Sequence, residues 1–238
     1  MSGPAVSRST RPRQLALALG HEESLARDDF LEGPSNATAL ALVEAWPDWP
    51  APVVTLTGPE SSGKSHLAAI WATVSGARVI AARALAETAP PMALATGALV
   101  IEDLGPGEFE EAPLFHILNL AREEGAFILL TARRPPAAWN VGLRDLESRL
   151  RAAPMVALEP PDDTLLRSVI VKLCADRQLA VDETVVSYLV SRIERSIDAA
   201  RSAVALLDRE ALRQQRAVNR SLAADLFRDP GGLTKGTP

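Results

Sequence analysis

GPESSGKSH, residues 58–66, carries the spacing G-x-x-x-x-G-K-[ST] and sits between two different periodicities. The apolar run VVTLT at 53–57 precedes it, and apolar residues at helical spacing follow over 64–74. A strand before and a helix after are the setting in which this spacing binds phosphate. Gly58 and Gly63 let the backbone curl until successive N–H groups face phosphate oxygens, and the helix beginning there adds the partial positive charge of its first turn. Lys64 neutralises the β- and γ-phosphates, and the Ser65 hydroxyl is suited to ligate Mg2+. The candidate binding stretch is therefore Gly58, Pro59, Glu60, Ser61, Ser62, Gly63, Lys64, Ser65 and His66, and its ligand a nucleoside diphosphate or triphosphate. His66 itself reads as a packing or hydrogen-bonding residue beside the loop.

Outward from the loop, short apolar runs at 53–57, 78–81, 98–101, 127–131 and 155–158 predict strands. Helical patterns lie between or before them, at 37–45, 64–74, 112–124 and 143–150. This alternation predicts an α/β fold with a parallel five-stranded sheet flanked by helices. Past Pro160 and Pro161 the pattern turns wholly helical, over 165–177, 183–192, 197–213 and 221–227. The expected organisation is a flexible arm at 1–24, an α/β nucleotide-binding core at 25–160, a small all-α lid at 161–227 and a disordered Gly- and Pro-rich tail at 228–238.

Composition narrows the function classes. The 238 residues are 47% hydrophobic and 23% charged, which suits a soluble globular protein. Cys174 is the sole cysteine, so no disulfide framework exists and a reducing, cytoplasmic setting is expected. No stretch approaches a membrane span, and the apolar run 15–19 is too short for a signal-peptide core. A net charge of −5 argues against a protein that coats nucleic acid by bulk electrostatics. Charge is uneven, however: residues 192–220 hold seven arginines against four acids, a local net of +3. Solvated helix faces with i,i+4 pairs are the plain explanation of that excess.

ALVIEDL at 98–104 ends an apolar strand on Glu102 and Asp103, at the edge of the sheet where ligands gather in open α/β folds. An acid here holds the metal and orients an attacking water. Two further stretches, ILLTARRPPAAW at 128–139 and LRDLESRL at 143–150, follow it.

With these blocks in this order, the chain resembles the DnaA branch of the AAA+ proteins over about residues 28–227. DDFLEGPSNATAL at 28–40 is similar to the nucleotide-cradling leading segment of that branch, and GPESSGKSHL, LVIEDL, TARRPP and DLESRL follow at similar spacing. The resemblance implies an AAA+ core and lid binding ADP or ATP with Mg2+, the metal on Ser65 and Glu102, and Asp103 in a catalytic position. From its place in DLESRL, Arg149 is expected to act as an arginine finger in trans, on a neighbour's nucleotide. RQLALALG at 13–20 is similar to the Q-L-x-L-x-L peptide with which the Hda group, regulators that inactivate DnaA, bind the sliding clamp. Gln14 would enter a polar pocket and Leu15, Leu17 and Leu19 an apolar groove, as an extended peptide does. Ala18 stands where proline is frequent.

Three positions depart from the pattern. Glu102 replaces the usual Asp, Arg133 stands where an acid is common, and Asp198 occupies the place of the lid arginine that touches the γ-phosphate. Arg195 or Arg201, a turn to either side, would have to substitute, and Arg195 is taken as the candidate. The implied partners are the DNA polymerase III sliding clamp and the DnaA initiator, with DNA reached only through the clamp, no membrane, and a homo-oligomer among the arrangements allowed. The expected role is negative regulation of replication initiation in the cytoplasm, at the nucleoid and replisome. A helicase loader or transposition-associated ATPase is the competing class, and an adaptor that binds the initiator without triggering hydrolysis is a third.

Overall fold

Strongly apolar runs can be buried on both faces only inside a sheet layered between helices, and the runs at 98–101 and 127–131 are the two most continuous here. The computed structural model describes residues 24–228. In it the strands β1 (Val53–Thr57), β2 (Arg78–Ala81), β3 (Ala98–Leu104), β4 (Phe127–Ala132) and β5 (Met155–Ala157) form one parallel sheet in the order β2-β3-β4-β1-β5. This is the predicted α/β architecture.

Alternation along the central strands divides the core. Leu99, Ile101, Ile128 and Leu130 meet Leu114, Ile117 and Leu118 of α4 (Glu111–Glu124) and Leu146 and Leu150 of α5 (Arg144–Ala152). Val100, Leu129, Val54 and Leu56 point the other way. They meet Leu67, Ile70 and Trp71 of α2 (Lys64–Ser75) and Leu40 and Val43 of α1 (Ala37–Glu44). Trp49 stacks on Trp71 at 4.7 Å between ring centroids, and closes the end of this layer. A single turn, α3 (Pro90–Ala93), links β2 to β3.

A third apolar cluster gathers α6 (Asp163–Asp176), α7 (Glu183–Val190), α8 (Ile197–Gln214) and α9 (Arg220–Leu226). Each of these four helices starts on a side-chain cap. Asp162, Asp182, Ser196 and Asn219 accept hydrogen bonds from the N–H groups of Leu165, Val185, Ala199 and Leu222, respectively. Such caps satisfy donors that the helix leaves open, at about 1 kcal/mol each. No helix among the described residues is long and apolar enough to cross a membrane. Nearly all of the expected arm, including Gln14, Leu15, Leu17 and Leu19, and nearly all of the expected tail lie outside the described residues.

β3 departs from its predicted end. It runs on to Leu104, with a register shift against β4 between Ile101 and Leu104 and a left-handed Asp103 at φ +61°. The Asp103 N–H donates to the Thr131 hydroxyl at 3.1 Å, which holds this irregular turn in place.

A phosphate-loop cavity between sheet and lid

The sheet order sends the chain from β1 through α2 to the far edge, while β5 lies on the other side of β1. The loop after β1 therefore sits at the point where the connections diverge, and a crevice opens there above the strand ends. That crevice is a cavity of about 540 Å³. Ser61, Lys64, Asp103, Arg133, Leu165 and Asp198 are among its walls, so core and lid both contribute.

The loop backbone has the conformation its glycines permit. Gly58 lies at φ +153°, and a Cβ there would stand 2.5 Å from the Leu158 carbonyl oxygen, so no other residue fits without displacing the backbone just after β5. Gly63 lies at φ +99° with the Phe30 ring against it. Ser61 is left-handed as well, at φ +57°. The Lys64 ammonium is buried and donates to the carbonyls of Gly58 at 2.9 Å and Pro59 at 2.6 Å. Burial holds its pKa below the ordinary 10.5, against the opposing pull of Asp103. The ammonium also donates to the Ser62 hydroxyl at 3.4 Å, and a buried positive charge satisfied by neutral groups is a strong attractor for an anion.

The lid reaches the same loop. The Ser61 hydroxyl donates to one oxygen of the Asp198 carboxylate, and the other accepts from Arg201 at 3.0 Å. The Ile197 N–H donates to the Ser61 carbonyl at 3.4 Å. Arg133 pairs with Glu60 at 2.9 Å across the other lip, both side chains exposed. Beside the leading segment, His66 Nε2 lies 2.9 Å from the Ala26 carbonyl and its ring meets Phe30 edge-on at 5.2 Å. Asn36 fixes the preceding turn: its Oδ1 accepts from Gly33 N–H at 2.8 Å, and its Nδ2 donates to the Leu31 carbonyl at 2.9 Å.

Most of the sequence-derived candidates converge here. Glu60, Ser61, Ser62, Gly63, Lys64, Ser65, His66 and Asp103 all line the cavity. Glu102 does not; it stands behind Asp103 with a buried carboxylate oxygen, Oε1, that has no hydrogen-bond partner. Arg195 does not line the cavity either, and pairs at 2.8 Å with Asp163. It precedes the cap residue Ser196, outside the helix, whereas Arg201 lies one turn after Asp198 on the same face of α8 and does line the cavity. Arg149 is also outside the cavity, on α5, with its guanidinium 5.1 Å from the centre of the Phe115 ring.

The donor set suits Mg2+ only in company. No group of three or more His, Cys, Asp or Glu side chains that could hold a metal occurs among the described residues. Ser65, Asp103 and the unsatisfied Glu102 oxygen are hard oxygen donors, the kind with which Mg2+ is held when nucleotide phosphates complete its shell.

Sequence reasoning missed a clasp across the cavity. Lys172 of α6 pairs with Asp29, in the 3-10 turn Arg27–Asp29, at 2.7 Å, and with Asp176 at 3.0 Å. These pairings raise the Lys172 pKa and lower that of Asp29. Partners 143 positions apart leave no local signal in a sequence.

No known family profile matches the chain. It is 31% identical over 171 residues to the chromosomal replication initiator protein DnaA of Caulobacter sp. (strain K31), covering 61% of this chain and 35% of that protein. The chain thus spans about a third of the length of that relative. In fold it is similar to domain III of the Thermotoga maritima replication initiation protein DnaA, with TM-score 0.72, 21% identity and coverage of 86% of this chain and 96% of that one. AMPPCP-bound DnaA from Aquifex aeolicus gives 0.62 at 22% identity, over 79% and 68% of the two chains. The Thermotoga maritima RuvB Holliday junction branch migration motor gives 0.67 at 16%, over 88% and 74%. The fold is thus of the AAA+ type, and its sequence is DnaA-like.

Proposed function

We propose that this chain is a nucleotide-bound AAA+ regulator which docks on the sliding clamp and stimulates hydrolysis of ATP held by the DnaA initiator, so restraining replication initiation in the cytoplasm. The observation that carries this reading is the separation of two chemistries. The phosphate loop faces the chain's own cavity, while Arg149 is held against Phe115 on α5, away from that cavity. An arginine that cannot serve its own nucleotide suits a role on a neighbour's.

The chain's own site favours binding over turnover. Lys64 and the loop provide for the phosphates, with ADP or ATP the fitting ligand, and Ser65 and Asp103, which face the cavity, are the oxygens for Mg2+ rather than Glu102 with its buried Oε1. Asp198 beside Ser61 places negative charge near the phosphates, which disfavours the added charge of a triphosphate. Gln14, Leu15, Leu17 and Leu19 supply the clamp peptide in this reading, and DNA is reached through the clamp.

The test combines clamp loaded on DNA, ATP-charged initiator and this protein, and follows the ATP/ADP ratio. Arg149→Ala should keep clamp binding and lose stimulation; retained stimulation refutes the arginine's role. Replacing Gln14 and Leu17 by Ala should abolish clamp capture with nucleotide affinity unchanged. The likeness to the RuvB motor in fold favours one competing reading, an ATP-dependent DNA motor or loader. Rapid ATP turnover stimulated by single-stranded DNA would select that reading instead.

A further inference from the structure

The arginine-rich stretch 192–220 is only partly explained by helix-face pairs. Arg195, Arg201 and Arg213 are matched by Asp163, Asp198 and Glu210. Arg192, Arg216 and Arg220 are all exposed, and none forms an ion pair with a carboxylate among the described residues. The first and last converge on one ring: the Arg192 guanidinium lies 5.5 Å from the Tyr188 centroid and that of Arg220 5.9 Å. Arg216, in the turn between α8 and α9, donates to the amide oxygens of Gln214 at 3.3 Å and Asn219 at 3.4 Å.

We propose that this lid surface, built from Tyr188, Arg192, Arg216 and Arg220, is a binding site for the phosphodiester backbone of nucleic acid. Stacking on a half-buried phenol ring orders two guanidiniums before any ligand arrives, which reduces the entropy lost on binding. Arginines accompanied by Asn, Gln and Tyr donors are the set that contacts phosphate and sugar in protein–nucleic acid interfaces. Two carboxylates of the lid are engaged by other arginines, Asp225 by Arg228 and Glu183 by Arg167. The surface lies outside the nucleotide cavity, so the two sites do not compete. The contact is direct and local. It modifies the expectation, implied by the resemblance, that DNA is reached only through the clamp.

The experiment is fluorescence-anisotropy titration of a labelled oligonucleotide, single-stranded and duplex, with the full chain at salt from about 50 to about 200 mM. Binding should weaken with salt. In Arg192→Ala/Arg220→Ala the slope of log affinity against log salt should flatten by about 1.4 on the single strand, or 1.8 on duplex, if each guanidinium neutralises one phosphate. Affinity at the lowest salt should fall about tenfold, with nucleotide affinity and the circular-dichroism spectrum unchanged. The charge-matched variant Arg122→Ala/Arg209→Ala, which removes exposed arginines of α4 and α8 away from the Tyr188 ring contacts, should retain the wild-type slope. No measurable oligonucleotide binding overturns the proposal, as does an unchanged slope in the first variant. Equal loss of slope in both variants, or binding of polyglutamate in place of the oligonucleotide, overturns it too.

Discussion

Lys64 is the residue on which the nucleotide site turns. Its ammonium now rests on the Gly58 and Pro59 carbonyls, which an incoming phosphate must displace or share. Lys64→Ala should weaken ADP binding by about 10- to 100-fold, the scale of a charged hydrogen bond of about 1.5–3 kcal/mol, read by titration with a fluorescent nucleotide. Phosphate favours the protonated amine, so the bound state holds more proton than the free state and affinity falls as pH rises through the lysine's pKa. Because burial holds that value below 10.5, the fall should begin at lower pH than for an exposed lysine. Affinity unchanged up to 10.5 contradicts the assignment. At the opposite lip, Asp198→Asn removes charge beside Ser61 and should raise affinity for ATP several-fold more than for ADP. Gly58→Ala, whose Cβ meets the Leu158 carbonyl, should lower the melting temperature and nucleotide affinity together, by about 1–3 kcal/mol of strain.

Elements explain why some of these residues were legible and others were not. β1, β3 and β4 are apolar runs buried on both sides, and a loop spacing tied to a strand before and a helix after is a local pattern, so sheet and phosphate loop could be read directly. The turn at Asp103 could not, because its left-handed backbone depends on a hydrogen bond from Asp103 to Thr131 on the next strand. That turn is why Asp103 faces the cavity while Glu102 stands behind it. Arg195 and Arg201 posed a similar ambiguity, since each is about one helical turn from Asp198. The cap at Ser196 resolves it: Arg195 falls before the helix and turns to Asp163, and Arg201 shares the face of Asp198. The four caps around the lid were present as Asp162, Asp182, Ser196 and Asn219 and fix where its helices begin.

Core and lid meet on either side of the cavity. Asp198 and Ile197 meet Ser61 at one end, and Lys172 meets Asp29 at the other. Partly exposed pairs of this kind contribute about 0–1 kcal/mol, so Lys172→Ala should quicken nucleotide release by up to about fivefold while leaving the fold intact, as stopped-flow chase would show. A nucleotide held by both lid and core would exchange slowly, which suits the proposed regulatory role. Hydrolysis on a partner's nucleotide, driven by Arg149 as proposed, is tested most directly by a single-turnover assay in which labelled ATP is loaded on the initiator alone, before this protein and DNA-loaded clamp are added. Accelerated phosphate release with the wild-type chain, absent with Arg149→Ala, is the result predicted. Release at the same rate with and without the chain, or equal acceleration by Arg149→Ala, contradicts it.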